Sequence, residues 1–285
     1  MKDAIDSSPY LSGYTYSTFT SQAIADKNDT KYMKALSHGI DPEAVNPGDV
    51  LYVTGEQVEN FFIHTAPKIR CPFSMVTAMW DAGVDQDLMS LMPEHLTRWF
   101  TINANVRHPK ITAIPLGLGN KNWGWDNNIQ CDPATYDKYR PYAKTHNVLA
   151  SFSVRNKHGE RLQCLNDAKN RLGNDLTVRD FNPADRKSDS FVDQYFEAAA
   201  HHKMVICPWG AGYDTHRLWE TMYLGSIPIT RACVAYREFA DYPIIFLNHW
   251  RDLNLDYLLK EYDKQLEKLQ TETRIYSKHW KEVIR

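Results

Sequence analysis

The chain has 285 residues, of which 24% are charged and 43% apolar, and its formal net charge is −2. This globular balance excludes an intrinsically disordered chain and gives no broad electrostatic surface for nucleic acid or membrane. The length fits one or two domains. Five cysteines, at 71, 131, 164, 207 and 233, form no CxxC pair. Reduced thiols of an intracellular protein are therefore expected, and a zinc knuckle is not. No apolar run approaches the ~20 residues of a membrane span, and the first twenty residues lack the apolar core of a signal peptide. The expectation is a cytoplasmic protein without a membrane span.

In chain order, the first ~45 residues read as an irregular lead-in because they are polar and poorly periodic. "DVLYVTGE" (49–56) reads as a buried strand. "QVENFFIHTAPKI" reads as a helix with Val58, Phe61 and Phe62 on one side, ended near Pro67. "FSMVTAMWD" (73–81), "TRWFTINAN" (97–105) and "KITAIPLGLG" (110–119) read as further strands. Residues 120–146, rich in Asn, Asp, Pro and Gly, read as a linker. The alternation then restarts. Strands are predicted at 147–154, 175–181, 203–208, 226–230 and 242–248. Helices are predicted at 159–173, 190–202 and from about 215 to 224, with a terminal helix from about 252 striped by Leu255, Leu258, Leu259, Tyr262 and Leu266. Two α/β halves with parallel sheets follow from this alternation. The division is set at 1–135 and 136–285, with the last helix in the second half.

One stretch, "CPWGAGYDTHRLWETMYLGSIPIT" (207–230), carries the densest chemistry. A strand ends at Pro208, the chain turns through Gly210 and Gly212, and Asp214 or Thr215 can cap the next helix. The glycines are expected to permit positive φ and close approach of backbone amides to a ligand. A helix N-terminus attracts anions, and His216 and Arg217 add positive charge there. Glu220 lies one turn further on, placed to accept hydrogen bonds from ribose hydroxyls. The set fits a nucleoside diphosphate; the bland alternative is a surface Arg217–Glu220 pair beside a simple turn. Position 215 is Thr where a dinucleotide fingerprint has its third glycine, which argues against an NAD-dependent oxidoreductase.

"GAGYDTHRLWETMYLGSIPI" resembles the nucleotide-sugar signature of exostosin-like glycosyltransferases of the GT-B architecture, of the type found also in large algal viruses. Weaker likeness extends upstream through "VENFFIHTAPKIRCPFSMVTAMWD", "RWFTINANVRHPKITAIPLGLGNKNW" and "LASFSVRNKHGERLQCL". The resemblance implies two Rossmann-like domains facing across a cleft, an acceptor-binding half at 1–135 and a donor-binding half at 136–285. It implies a UDP-sugar donor, with UDP-xylose leading, a glycan acceptor that can sit on a glycoprotein, and no cofactor or obligatory metal. For a viral enzyme the location is the host cytoplasm.

Many retaining enzymes of this architecture carry a Glu eight positions before the ribose-binding Glu. Here that position is Gly212, which favours inversion. Inversion needs a general base. Asp81, at the end of an apolar strand and before Ala82-Gly83, is the first candidate, against a simple turn-capping role. Glu56 is second and His108 third. Arg155 and Lys157, with Arg161, follow the strand at 147–154, where a basic loop can clamp phosphates; an ordinary solvated loop is the alternative. Tyr213 can pack on the base, the sugar or the protein. Trp80, Trp123 and Trp125 are candidates to line an acceptor groove, whereas Trp99 reads as core. A nucleotide-sugar epimerase and a non-catalytic glycan-binding module remain as alternatives.

Overall fold

The computed structural model describes residues 8–24, 39–120, 132–155, 159–179 and 189–285. It divides into two compact units, Met1–Asn122 with Arg274–Arg285, and Trp123–Thr273. The boundary between the units falls at Asn122/Trp123, and of the C-terminal region only Arg274–Arg285 joins the first unit.

The first unit holds a parallel sheet in the order β1 (Gln22–Ile24), β2 (Val50–Thr54), β3 (Phe73–Ala78), β4 (Leu96–Thr101) and β5 (Ile111–Ala113). Every residue of β2 and β3 is buried, as expected for strands covered on both faces. Between them a helical run changes pitch from Gly55 to Lys68. It buries Val58, Phe61 and Phe62, and Phe62 meets the Trp99 ring edge-on at 5.2 Å. Trp99 is core, as expected, and its Nε1 donates to Thr77 Oγ1 at 2.9 Å.

The lead-in is more ordered than its polarity suggests. Helix α1 (Gly13–Ser17) is buried throughout, and β1 is an edge strand. The hydroxyls that made this segment look like a loop are satisfied inside. Tyr16 Oη donates to Pro115 O at 2.9 Å and Ser17 Oγ to Tyr14 O at 2.7 Å, while the segment's Gly13 carbonyl accepts from Tyr52 Oη of β2 at 3.0 Å. A buried polar group is tolerated when it is hydrogen-bonded. Short α2 (Gln86–Ser90) is capped by Asp85, which accepts from Leu88 N at 2.9 Å.

The second unit opens with α3 (Pro133–Tyr139), inside the stretch expected to be a linker. Its Tyr136 and Tyr139 are buried, with Tyr136 against Phe196 and Tyr223. Helices α4 (Glu160–Leu172), α5 (Asp189–His201) and α6 (His216–Tyr223) alternate with β6 (His146–Ala150), β7 (Leu176–Val178), β8 (His202–Ile206), β9 (Ile227–Arg231) and β10 (Ile245–Leu247). The all-parallel order is β10-β9-β8-β6-β7, the flavodoxin-like doubly wound arrangement. Pro228 sits in β9, an inner strand. Ile229 faces β8, since its carbonyl accepts from Cys207 N at 2.8 Å. Pro228 therefore faces the β10 side, where pairing starts only at Ile229, and its missing N–H breaks no ladder bond.

The C-terminal region is two helices rather than one. Helix α7 (Leu255–Thr271) buries Leu258, Tyr262, Gln265 and Leu269; Leu255, Leu259 and Leu266 are only half-buried, so the stripe is narrower than expected. Helix α8 (Ser277–Ile284) packs in the first unit, where Arg98 donates to Val283 O and Ile284 O at 3.1 and 3.0 Å. Among the described residues, no helix is long and apolar enough to cross a membrane.

Candidate functional site

In an open parallel sheet, ligands bind at the carboxyl ends of the strands where the strand order reverses. In the second unit that point lies between β6 and β8. The segments leaving these two strands, 151–155 and 207–215, are fastened to each other. Arg161 Nη1 donates to Ser153 O at 3.2 Å and its Nε to Trp209 O at 2.7 Å. Glu160, the first residue of α4, accepts from Trp209 N at 2.8 Å and pairs with Arg231 Nη1 at 2.9 Å. The Arg231 guanidinium also stands 4.6 Å over the Trp209 ring.

The turn into α6 differs from the expected one in three ways. Neither Gly210 nor Gly212 has a positive φ. A Cβ on Gly210 would instead come within 3.2 Å of Arg161 Nη2, so close packing under that guanidinium is what glycine serves there. Asp214 is 5% exposed; it accepts from Thr215 N at 2.8 Å and from Trp219 Nε1 at 2.9 and 2.8 Å. It anchors the turn to the core. Thr215 is the N-cap residue, but its side chain makes no capping bond. Tyr213 lies edge-on to Trp209 at 4.9 Å, and its carbonyl accepts from Tyr236 Oη at 2.7 Å.

Behind this turn lies a buried polar cluster. Glu220 is 4% exposed, and burial pushes its carboxyl up to about 7, against the opposing pull of Arg217 and the Tyr195 hydroxyl. Arg217 Cζ stands 5.6 Å from the Tyr195 ring centroid. Cys207, at the end of β8, is held up to about 12 chiefly by burial. Four buried polar atoms here have no hydrogen-bond partner: Ser151 Oγ, Thr215 Oγ1, Tyr195 Oη and Arg217 Nε. They come from the ends of β6 and α6 and from α5. Ser151 directly follows β6 and Cys207 directly follows β8, the strand with which β6 pairs up to Leu149 opposite Val205. An unpaired buried polar group costs about 1–3 kcal/mol, so such a concentration at a switch point points to a polar ligand.

The other donor-side candidates fall around this cluster. His216 is half-buried at the start of α6, and Arg155 is exposed, its amide donating to Ser153 Oγ at 3.3 Å. Lys157, Trp123 and Trp125 lie outside the described residues. Ser151 and Tyr195 were missed by sequence reasoning. The position of Ser151, one residue past an apolar strand, was a usable signal; Tyr195 reads as one more apolar-face residue of α5.

In the first unit, the register pairs Thr54 with Ala78. Glu56 and Asp81 thus follow the ends of adjacent strands at one carboxyl edge, and both are exposed. Gly55 is pressed under half-buried Trp80: a Cβ there would lie 2.0 Å from Trp80 Cβ. Two non-glycine residues just past this edge, Met79 (φ 62°) and Asn103 (φ 50°), are left-handed. Asn103 Nδ2 donates to Trp80 O at 3.1 Å. His108 is not brought to this group. It sits on the limb returning to the start of β5, where its Nδ1 accepts from Lys110 N at 3.2 Å. Among the described residues, no group of three or more His, Cys, Asp or Glu is placed to hold a metal.

No curated protein sequence matches the chain. Similar solved structures include Anabaena Alr3699/HepE in complex with UDP-glucose, at 12% identity, TM-score 0.46, covering 82% of this chain and 77% of that one. Another is an alpha,alpha-trehalose-phosphate synthase (UDP-forming) from Burkholderia vietnamiensis, at 6% identity, TM-score 0.46, covering 85% and 76%. A third is spinosyn rhamnosyltransferase SpnG complexed with thymidine diphosphate, at 12% identity, TM-score 0.41, covering 80% and 70%. The family model described as the RXYLT1 C-terminal domain matches residues 128–285, which contain the whole of the Ser151–Glu220 cluster. The chain belongs to the RXYLT1 C-terminal domain family.

Proposed function

We propose that the chain is an exostosin-like inverting glycosyltransferase that moves a sugar from a UDP-sugar to a hydroxyl of a glycan acceptor. The observation that carries this reading is the set of unpaired buried polar groups, Ser151, Thr215, Tyr195 and Arg217, around buried Glu220 at the switch point of the second sheet. Glu220 accepts hydrogen bonds from the ribose hydroxyls. The diphosphate lies over the start of α6, met by Thr215 Oγ1, His216 and Arg217, with Arg155 reaching it from the segment after β6. Close-packed Gly210, with Gly212, keeps side chains out of its path, and Tyr213 flanks the base or the sugar.

The first unit supplies the acceptor side. Asp81 takes the proton from the acceptor hydroxyl, whose oxygen then forms a bond to the anomeric carbon as the bond from that carbon to the diphosphate oxygen breaks. The electron pair leaves with UDP, and the positive groups at α6 stabilise the developing charge. Glu56, on the same edge, is the second candidate base. Trp80 offers an aromatic face to the acceptor. Xylose is the first sugar to test, on the strength of the sequence resemblance.

The test is UDP release from a panel of UDP-sugars with and without glycan acceptors, beside thermal stability with UDP. UDP is expected to raise the melting temperature, since a ligand that binds only the folded state stabilises it, and Glu220→Ala to abolish the rise. No shift with any nucleoside diphosphate overturns the reading. Conversion of a UDP-sugar without acceptor would indicate an epimerase instead.

A further inference from the structure

We propose that Tyr195 is a positioning residue: its hydroxyl donates to the Glu220 carboxylate in the nucleotide-bound protein and fixes that carboxylate for the ribose. The inference rests on the donor-site reading above and adds a residue from α5, a helix with no assigned part in it. Tyr195 is 8% exposed, packed on Phe196 at 5.4 Å and below the Arg217 guanidinium. A phenylalanine would supply the same packing. The hydroxyl instead lies buried with no hydrogen-bond partner, a cost that a purely structural ring avoids.

The neighbours say what the hydroxyl is for. The groups facing it are Arg217 and Glu220 from α6, Cys207 from the end of β8 and Arg179 from the end of β7. Of these, only the Glu220 carboxyl can become an anionic acceptor near neutral pH, because burial holds the Cys207 thiol protonated. Burial also keeps Tyr195 protonated, so it remains a donor. It already favours the charged form of Glu220 as a hydrogen-bond donor does, yet the two do not meet in hydrogen-bond geometry. A small turn of the carboxyl toward Tyr195 satisfies the hydroxyl and leaves the second oxygen free for the ribose hydroxyls.

The experiment uses Tyr195→Phe, which removes one oxygen atom. In nucleotide-free protein, the Glu220 carboxyl is titrated by carbon-13 NMR, with Glu220→Gln identifying the signal. In parallel, UDP binding is measured by calorimetry between pH 6 and 8. The expected result is a higher Glu220 midpoint in Tyr195→Phe, UDP binding weakened about fivefold, equivalent to one hydrogen bond, and an unchanged or higher melting temperature. Wild-type-like affinity and pH profile in Tyr195→Phe overturn the proposal. If the wild type binds no UDP but the Glu220 midpoint still rises in Tyr195→Phe, the donor-site reading fails and the Tyr195–Glu220 coupling stands.

Discussion

Glu160 holds two partners at once: one carboxylate oxygen accepts the Trp209 amide at 2.8 Å and the other meets Arg231 at 2.9 Å. It thereby joins the start of α4, the turn after β8 and the end of β9. Removing it strands a guanidinium that is only a quarter exposed and frees the turn. Glu160→Ala is expected to lower stability by about 2–3 kcal/mol, somewhat less than for a fully buried pair because water screens Arg231. Urea denaturation measures this. Glu160→Gln, which keeps an acceptor for Trp209, should lose less.

Glu220 makes stability depend on pH in the direction opposite to a salt-bridged carboxylate. Its folded value, about 7, lies above the ordinary 4.5. The folded protein therefore binds more protons than the unfolded chain between these values, and stability falls as pH rises from about 4.5 to about 7. Above that window the full penalty is present, on the order of 3 kcal/mol. Glu220→Gln should stabilise the protein at pH 8 and change it little at pH 4, while abolishing the UDP-induced thermal shift. Melting curves across pH check both.

Asp214 ties the turn of the binding signature to the core. Asp214→Ala leaves the buried Trp219 indole N–H and the Thr215 amide without their acceptor. The expected loss is about 2–3 kcal/mol, read as a lower urea midpoint. Arg217→Ala, by contrast, should weaken UDP binding with a smaller effect on stability.

For the base, Asp81→Asn is expected to lower the transfer rate by about 10²–10⁴-fold while UDP binding stays intact, because Asp81 belongs to the first unit. Glu56→Gln should have a minor effect. The reverse pattern would move the role to Glu56.

Gly55→Ala tests the packing beneath Trp80. The added Cβ would overlap the start of that side chain, so Trp80 must move; a loss of about 1–3 kcal/mol is expected. An accompanying rise in acceptor KM, with donor KM unchanged, would place Trp80 at the acceptor.

Much of the fold was legible because buried parallel strands announce themselves as unbroken apolar runs, as "VLYVT" and "FSMVTA" do. The lead-in escaped because its tyrosines, serines and threonines bury themselves by bonding to backbone carbonyls, which no periodicity reveals. Helix α3 escaped for a related reason: only seven residues long, it gives Tyr136 and Tyr139 no periodic company. At the site, the strand–turn–helix order of 207–224 was readable, as was the burial of Leu218 and Met222. The division of labour within it was not. Whether a glycine serves φ or packing, and which side chain an aspartate holds, depends on Arg161 and Trp219, contacts that spacing does not encode. Tyr195 differs from any core aromatic only by one oxygen without a partner.

The placement of α8 has a bearing on biosynthesis. Trp280 and Ile284 are buried in the first unit, Ser277 N bonds to Pro9 O at 2.9 Å, and Arg285 Nε reaches Phe19 O at 3.2 Å. The second unit is thus a continuous segment interposed in the first. On the ribosome, where domains complete in order of emergence, the donor-side unit can finish folding while the segment that starts the chain still waits for its last helix.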